Sequence, residues 1–473
     1  MSDTAPAIWW IRRDLRLSDN PALAAAVAAG GPVIPVFVRD PLVDGLGTAP
    51  AWRLGEGLAD LAGALEEKGS RLILRSGDAL AVLKEVAEAA GARAVHWNRL
   101  YDPDAIDRDR AVKAGLKAAE LQPQSHGGHL LFEPWTVETK TGGMYKVYTP
   151  MWRAVRGRDV PEPEAAPAKL AAPETWPESE ALSAWALGAG MDRGAEIVRR
   201  HILVGERAAQ SRLGHFISEI VGGYGESRDR VAEDGTSRLS AHLSLGEIGP
   251  RTCWHAGARA LEEGKAGAET FCQELVWREF AYHLLYHTPR LATGNWREEW
   301  DAFPWNEDER RSEVRAWKRG RTGIEFVDAA MREMYVTGTM HNRARMIVAS
   351  VLTKHLMSHW KIGLKWFEDH LVDWDPASNA LGWQWSAGSG PDATPYFRVF
   401  NPETQLEKFD KRRVYIDRWI AEGRSRPAQE ALDYFEAIPP SWGMSASDAY
   451  PDPIVTPKEG RARALEAYEN RSF

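Results

Sequence analysis

Ile8-Trp9-Trp10-Ile11-Arg12-Arg13-Asp14 opens an alternation that decides the fold of the first third of the chain. Four apolar residues stopped by two cations and a carboxylate have the length and punctuation of a buried strand. Asp19-Asn20-Pro21 follows as a helix start, a capping side chain and then proline at the first helical position, and Gly30-Gly31 closes that helix. Working outward, the pattern predicts strands at Val33–Val38, Arg71–Leu74 and Ala94–Trp97, and helices at Pro21–Ala29, Trp52–Glu67 and Ala79–Ala90. Such alternation implies an N-terminal α/β domain, a doubly wound parallel sheet with helices on both faces. The first strand runs into arginines and not into glycines, so no dinucleotide loop of the GxGxxG kind is expected there.

From about Val160 to Ala184 the chain is dominated by Pro, Ala and Glu, a composition that reads as a connector. Beyond Gly190 the apolar spacing is helical, over Glu196–Gly222, Cys253–Glu263, Thr270–Tyr286, Gly323–Thr337, His341–His359 and Lys365–Leu371. The expected organisation is therefore an α/β domain over residues 1–135, a connector over 136–188 and a larger all-α domain over 189–473.

With 473 residues there is room for two cores and a buried cofactor. No apolar run approaches the roughly 18 residues of a membrane span, and Arg12 and Arg13 interrupt the only N-terminal candidate for a leader, so a cytoplasmic protein is expected. Two cysteines, Cys253 and Cys272, supply neither a disulfide framework nor an iron–sulfur site. A net charge of −8 argues mildly against nucleic acid, yet Arg310–Arg345 holds nine Lys/Arg against four Asp/Glu and is a candidate docking face. For such a charge run taken alone, a solvated helix surface is the better reading. His355 and His359 have zinc-helix spacing but no accompanying HExxH glutamate, so packing is favoured and no metal is expected.

Ten of the 21 tryptophans fall between Trp277 and Trp385, more than a core alone requires, since each buried indole N–H needs a partner. Stacking on bases and electron hopping between rings are two uses for them. Here the residues become specific: Glu274-Leu275-Val276-Trp277-Arg278, Gly338-Thr339-Met340-His341-Asn342-Arg343-Ala344-Arg345-Met346, Asp373-Trp374-Asp375 with Asn379, Gly382, Trp383 and Trp385, and Pro395-Tyr396-Phe397-Arg398. Together with Trp10–Pro21 and Gly235–Ser240, in order and with compatible spacing, they resemble the photolyase/cryptochrome family, nearest to its bacterial cyclobutane pyrimidine dimer members.

That resemblance implies a helical FAD-binding domain, reduced flavin (FADH−) as the working form, ultraviolet-damaged DNA as partner and a monomer. It assigns Tyr224, Arg228, Thr236, Ser237, Arg238, Leu239, Ser240, Phe271, Asn342, Arg345, Asp373, Asp375 and Asn379 to the flavin. Asn379 stands opposite flavin N5, where a neutral amide can donate or accept. Arg345 is the counter-ion of Asp373, because two carboxylates cannot both be buried unpaired. Glu274, Trp277, Arg278, Asn342, Arg343, Met346, Trp385 and Arg398 are assigned to the lesion and its backbone, with Glu274 expected in its protonated form beside apolar rings. Trp383, Trp360 and Trp305 correspond to the indoles that relay electrons to the flavin.

Relatives that repair the (6-4) photoproduct carry histidines where Asn342 and Met346 stand, so the resemblance points to cyclobutane dimers. A blue-light receptor cryptochrome without repair activity is the alternative, disfavoured by Asn379 and by the short C-terminal stretch. Two departures are Thr339, where relatives often have tryptophan, and Trp374, where they often have glycine. An antenna pigment is expected at Trp97, Asn98, Arg99, Tyr101 and Asp102, at a strand end, as in α/β ligand sites. Reduced folate, 5,10-methenyltetrahydrofolate, is the implied occupant, with deazaflavin or none left open.

Overall fold

The computed structural model describes residues 5–191, 194–392 and 397–473. Pro395 and Tyr396 of the last motif lie outside the described residues. Five strands, β1 (Ala7–Ile11), β2 (Val33–Arg39), β3 (Ile73–Ser76), β4 (Ala94–Asn98) and β5 (Gln122–His126), form one parallel sheet in the order β3-β2-β1-β4-β5. Strand pleating explains its two cores. Trp9 and Ile11 face Leu54, Leu58, Leu61 and Leu65 on one side, while Ile8 and Trp10 face Leu83, Val86 and Leu116 on the other. The doubly wound expectation is thus met. β5 was missed because Gln122-Pro123-Gln124-Ser125-His126 is polar; it survives as an edge strand, where proline and polar residues are tolerated.

The Pro/Ala/Glu-rich segment does not float between domains. It runs back along the sheet domain: Ala171 O accepts from Val33 N (3.0 Å), Lys68 O accepts from Leu170 N (3.1 Å) and Leu74 O accepts from Glu180 N (2.8 Å). Leu170 and Trp185 are buried in the sheet-domain core. A few apolar residues spaced along a polyproline-like stretch suffice to dock it, which composition alone does not reveal.

The remainder is helical. The stretch expected as one helix over Glu196–Gly222 is split into Gly194–Arg199 and Glu206–His215 around Gly205, whose φ of +92° no helix accommodates. Helix Ala268–His287 carries Glu274, Trp277 and Arg278, helix Asn342–Ser350 carries Arg345 and Met346, helix Trp360–His370 opens on the second relay indole, and helix Pro376–Ala387 carries Asn379, Trp383 and Trp385. Among the described residues no helix is long and apolar enough to cross a membrane.

Glu279, buried on helix Ala268–His287, ties the two halves together: its Oε2 accepts from Leu131 N (2.8 Å) and Phe132 N (3.2 Å). Burial raises its carboxyl to about 7, against the pull of Arg278 and the two N–H donors. A carboxyl raised in the fold contributes stability that is complete below its unfolded pKa and is lost as pH rises through the folded one. Glu279→Gln keeps an acceptor and stays neutral. It should therefore flatten the fall in stability between about pH 4.5 and 7, by up to about 3 kcal/mol. Urea denaturation at several pH values checks this, and parallel pH profiles for both proteins would refute it.

Candidate functional site

The site forms where helices Asn342–Ser350 and Pro376–Ala387 pack together. Arg345 Nη2 donates to both oxygens of Asp373, at 3.0 and 2.7 Å, and its Nε donates to Met340 O at 2.8 Å. The expected pair is present, with Asp373 buried and Arg345 one-fifth exposed. Asp375 caps helix Pro376–Ala387 through Ser378 N (2.7 Å) and accepts from Tyr282 OH (2.7 Å). Asn379 Nδ2 donates to Asp375 O (3.0 Å), leaving its Oδ1 without a bond among the described residues. Asp375, Asn379 and Trp383 recur every four residues and so share one helix face. Trp383 Nε1 is buried and unbonded among the described residues. Unmet polar atoms on one face, next to a fixed guanidinium–carboxylate pair, fit a heteroaromatic ring with donors and acceptors along its edge, which a flavin has.

The loop expected at the flavin diphosphate is built differently from its sequence reading. Arg238 adopts a left-handed φ of +52° and pairs with Asp234 at 2.9 Å. Thr236 and Ser237 present their carbonyls to Arg212, at 2.6 and 2.9 Å, a residue the motif did not single out. Leu239 is buried and Ser240 begins helix Ser240–Leu245, its side chain exposed. Tyr224 and Phe271 are buried against Phe216, at 5.2 and 4.8 Å between ring centres, so the aromatic wall is part of the core.

Four assignments change character. Arg228, expected beside the diphosphate, instead makes an ion pair with Glu274 and lies over the Tyr224 ring at 5.5 Å. Glu274, about one-third exposed in that pair, is a carboxylate held by a guanidinium and not a buried acid beside apolar rings. Arg278 turns inward, donating to His129 O (2.7 Å) and Nε2 (2.9 Å), which removes it from a DNA face. Arg343 is already neutralised by Asp229 at 2.6 Å. The basic run itself is largely paired, with Arg310 on Asp308, Arg311 on Glu313, Lys318 on Glu309, Arg321 on Asp448 and Arg332 on buried Glu422. Its local excess of charge therefore does not translate into a free cationic surface.

The remaining lesion residues stay accessible. Trp277 is half-buried and stacked on Tyr148 at 3.8 Å and 6°, so one face is backed by a ring that the sequence did not point to. Asn342 is exposed, and Met346, one turn along the same helix, and Trp385 are half-buried. Arg398 is exposed over Phe400, without a carboxylate partner among the described residues. Tyr282 could have been found, because it lies one turn beyond Arg278, itself one turn beyond Glu274.

Of the three relay indoles, Trp383 abuts helix Trp360–His370 at Gly363, where any Cβ would stand 2.0 Å from its ring. Trp360 Nε1 donates to Asn295 Oδ1 (2.8 Å) and Trp305 Nε1 to Thr353 O (2.8 Å). Trp305 is 8% exposed and packs on Trp300 and Phe303, so it lies just beneath the surface. Thr339 bonds to Thr337 Oγ1 (3.0 Å) and Trp374 packs on the helical core. His355, at the end of one helical segment, packs under Gly460, and His359 caps the next helix.

At the strand ends the antenna candidates are taken up internally. Trp97 is buried against Trp10, Asn98 bonds Asp14 and Asn20 (both 2.7 Å), Arg99 and Tyr101 bond Glu133, and Asp102 pairs with Arg13. Arg12 and Arg108 cover Trp10 at 4.2 and 5.0 Å.

Residues 7–169 match the family described as DNA photolyase, and residues 271–470 match the FAD binding domain of DNA photolyase. The deoxyribodipyrimidine photo-lyase of Agrobacterium fabrum is 48% identical over 98% of both chains. The crystal structure of a bacterial class III photolyase from Agrobacterium tumefaciens superposes with a TM-score of 0.91 at 47% identity, over 99% of this chain and 98% of that one. Cryptochrome-1 of Arabidopsis thaliana is 34% identical over 98% of this chain and 70% of its own. An FAD-binding domain thus coincides with the helical half that holds the Arg345–Asp373 pair and the Trp383 face, and with matches running through both halves the chain belongs to the DNA photolyase family.

Proposed function

We propose that this chain uses blue light to repair cyclobutane pyrimidine dimers in ultraviolet-damaged DNA, as a cytoplasmic monomer with reduced FAD in its helical domain. One observation carries the reading: the Arg345–Asp373 pair, Asn379 and the Trp383 indole stand on or beside helices that pack together and against the helix carrying the accessible Trp277. When bound, reduced FAD supplies on illumination the electron that opens the cyclobutane ring. Arg345 and Asp373 hold the ring edge, and the Asn379 amide presents a neutral dipole that tolerates an anionic ring. Trp277, braced by Tyr148, offers a preset face for a flipped base, with Trp385 as its counterpart. Ion-paired Glu274 keeps Oε2 free to accept from a base N–H, while Arg228 supplies positive charge near the developing anion. Asn342 and Met346, in place of paired imidazoles, favour the cyclobutane lesion over one that needs proton transfer. The resemblance also supports an antenna pigment, a reduced folate, at the strand ends around Trp97–Asp102.

Illuminating purified flavoprotein with oligonucleotides carrying each lesion tests this. Loss of the cyclobutane dimer alone is expected, whereas bound flavin with no repair of either lesion would move the chain to the receptor class. Glu274→Ala should lower repair yield about tenfold or more while DNA binding changes within about twofold, since the lost bond is to a charged group made at the lesion. Equal losses in repair and binding would reduce Glu274 to a docking role.

A further inference from the structure

The two outer relay indoles make no ring-on-ring contact among the described residues. Among the described ring contacts Trp305 and Trp360 each meet His359 instead: its imidazole lies 5.4 Å from Trp305, edge-on at 68°, and 5.4 Å from Trp360 at 36°. The ring is fixed from both sides. His359 N donates to Asn306 O (2.9 Å), the residue after Trp305, and Nδ1 accepts from Lys361 N (3.1 Å) as the N-cap of helix Trp360–His370.

We propose that the His359 imidazole is the bridge by which an electron hole passes from Trp360 to Trp305, and that protonating it closes this outward path. The inference rests on the relay role proposed above for the three indoles. In the step one electron leaves Trp305 and fills the vacancy on Trp360. No bond forms or breaks, and the hole stays on Trp305 until an external thiol donates an electron.

The local structure keeps the bridge neutral. The Nδ1 lone pair is occupied by the Lys361 N–H, so Nε2 carries the proton, and a cation at a helix N-terminus would oppose the helix dipole. Burial first, and then Lys361, lower the pKa of the imidazole, against Glu307 and Asp301. Those groups and Arg290, which pairs with Asp301, line a cleft of about 310 Å³ with His359, so protons reach it from solvent. An imidazolium would stand equally far from both outer indoles. It would not bias the hole between them, but would disfavour both relative to Trp383, whose ring packs on Phe367 and Trp317.

Flash photolysis of the protein loaded with oxidised flavin, following the indole radical signal from about pH 5 to 8, tests the proposal. The wild-type yield of long-lived outer hole should fall about tenfold in acid, the Coulomb penalty of a partly screened charge at this distance. His359→Phe keeps a ring and should abolish the pH dependence. His359→Asn keeps a helix cap without a ring and should give a low yield at every pH, with its melting temperature reporting the cap separately. Trp360→Phe and Trp305→Phe test the relay itself; if neither lowers the yield, the relay reading fails. If both do, while His359→Asn retains the wild-type yield or His359→Phe retains the wild-type pH profile, the bridge is overturned and the relay stands.

Discussion

Glu247→Ala is expected to cost about 3–5 kcal/mol of stability, because it strands a buried cation. Arg53, on helix Thr48–Glu67 of the sheet domain, donates through Nη1 and Nη2 to the two oxygens of Glu247 at 2.7 and 2.6 Å, and neither side chain has any solvent exposure. Burial would raise the Glu247 carboxyl, but His242 at 2.5 Å and Arg53 hold it below its ordinary value. The pair spans 194 residues, so its loss weakens the seam between the sheet and helical halves as well as the local fold. Urea denaturation should show the first transition at lower denaturant. Arg53→Met combined with Glu247→Leu, which removes both charges and refills the space, should recover at least about half of the loss. A double variant as unstable as the summed singles would mean that the cost arises from packing and not from the stranded charge.

The same distinction between local and tertiary determinants marks what was legible in the sequence. β1, β2 and β4 announce themselves because both faces of a central parallel strand are buried, giving the runs Ile8–Ile11, Val33–Val38 and Ala94–Trp97. β5 does not, since an edge strand needs only backbone pairing with β4. In the site, Arg345–Asp373 was legible because a buried carboxylate must find a cation and one lay nearby in the motif. The partners of Arg228, Arg278 and Arg343 were not. Glu274, His129 and Asp229 lie 46, 149 and 114 residues away, and a guanidinium serves equally well against a phosphate or a carboxylate. Residue type fixed the chemistry available at those positions, and tertiary placement fixed its use. His359 is the extreme case: in sequence it is half of an incomplete zinc pair, and in space it lies between two indoles.

Asp373→Ala is expected to weaken flavin retention about 30- to 100-fold, the equivalent of about 2–3 kcal/mol for removing one partner of a partly buried charge pair. Among the described residues Asp373 receives both of its side-chain bonds from Arg345 Nη2, and without it the guanidinium keeps only the Met340 carbonyl through Nε. Arg345 is one-fifth exposed, so water relieves part of the penalty and the figure stays below that of a fully buried pair. The freed guanidinium would also lose its fixed direction, and with it the geometry that holds a ring edge beside Asn379. Flavin released on dilution, read by its fluorescence, measures the affinity directly, and the melting temperature of flavin-stripped protein separates retention from folding. Loss of flavin with an unchanged apoprotein melting point places Asp373 in the cofactor site. A matching loss of apoprotein stability with unchanged affinity would make the pair a strut between helices Asn342–Ser350 and Pro376–Ala387, and the flavin would then have to be held by the Trp383 face and the Arg212-organised loop alone.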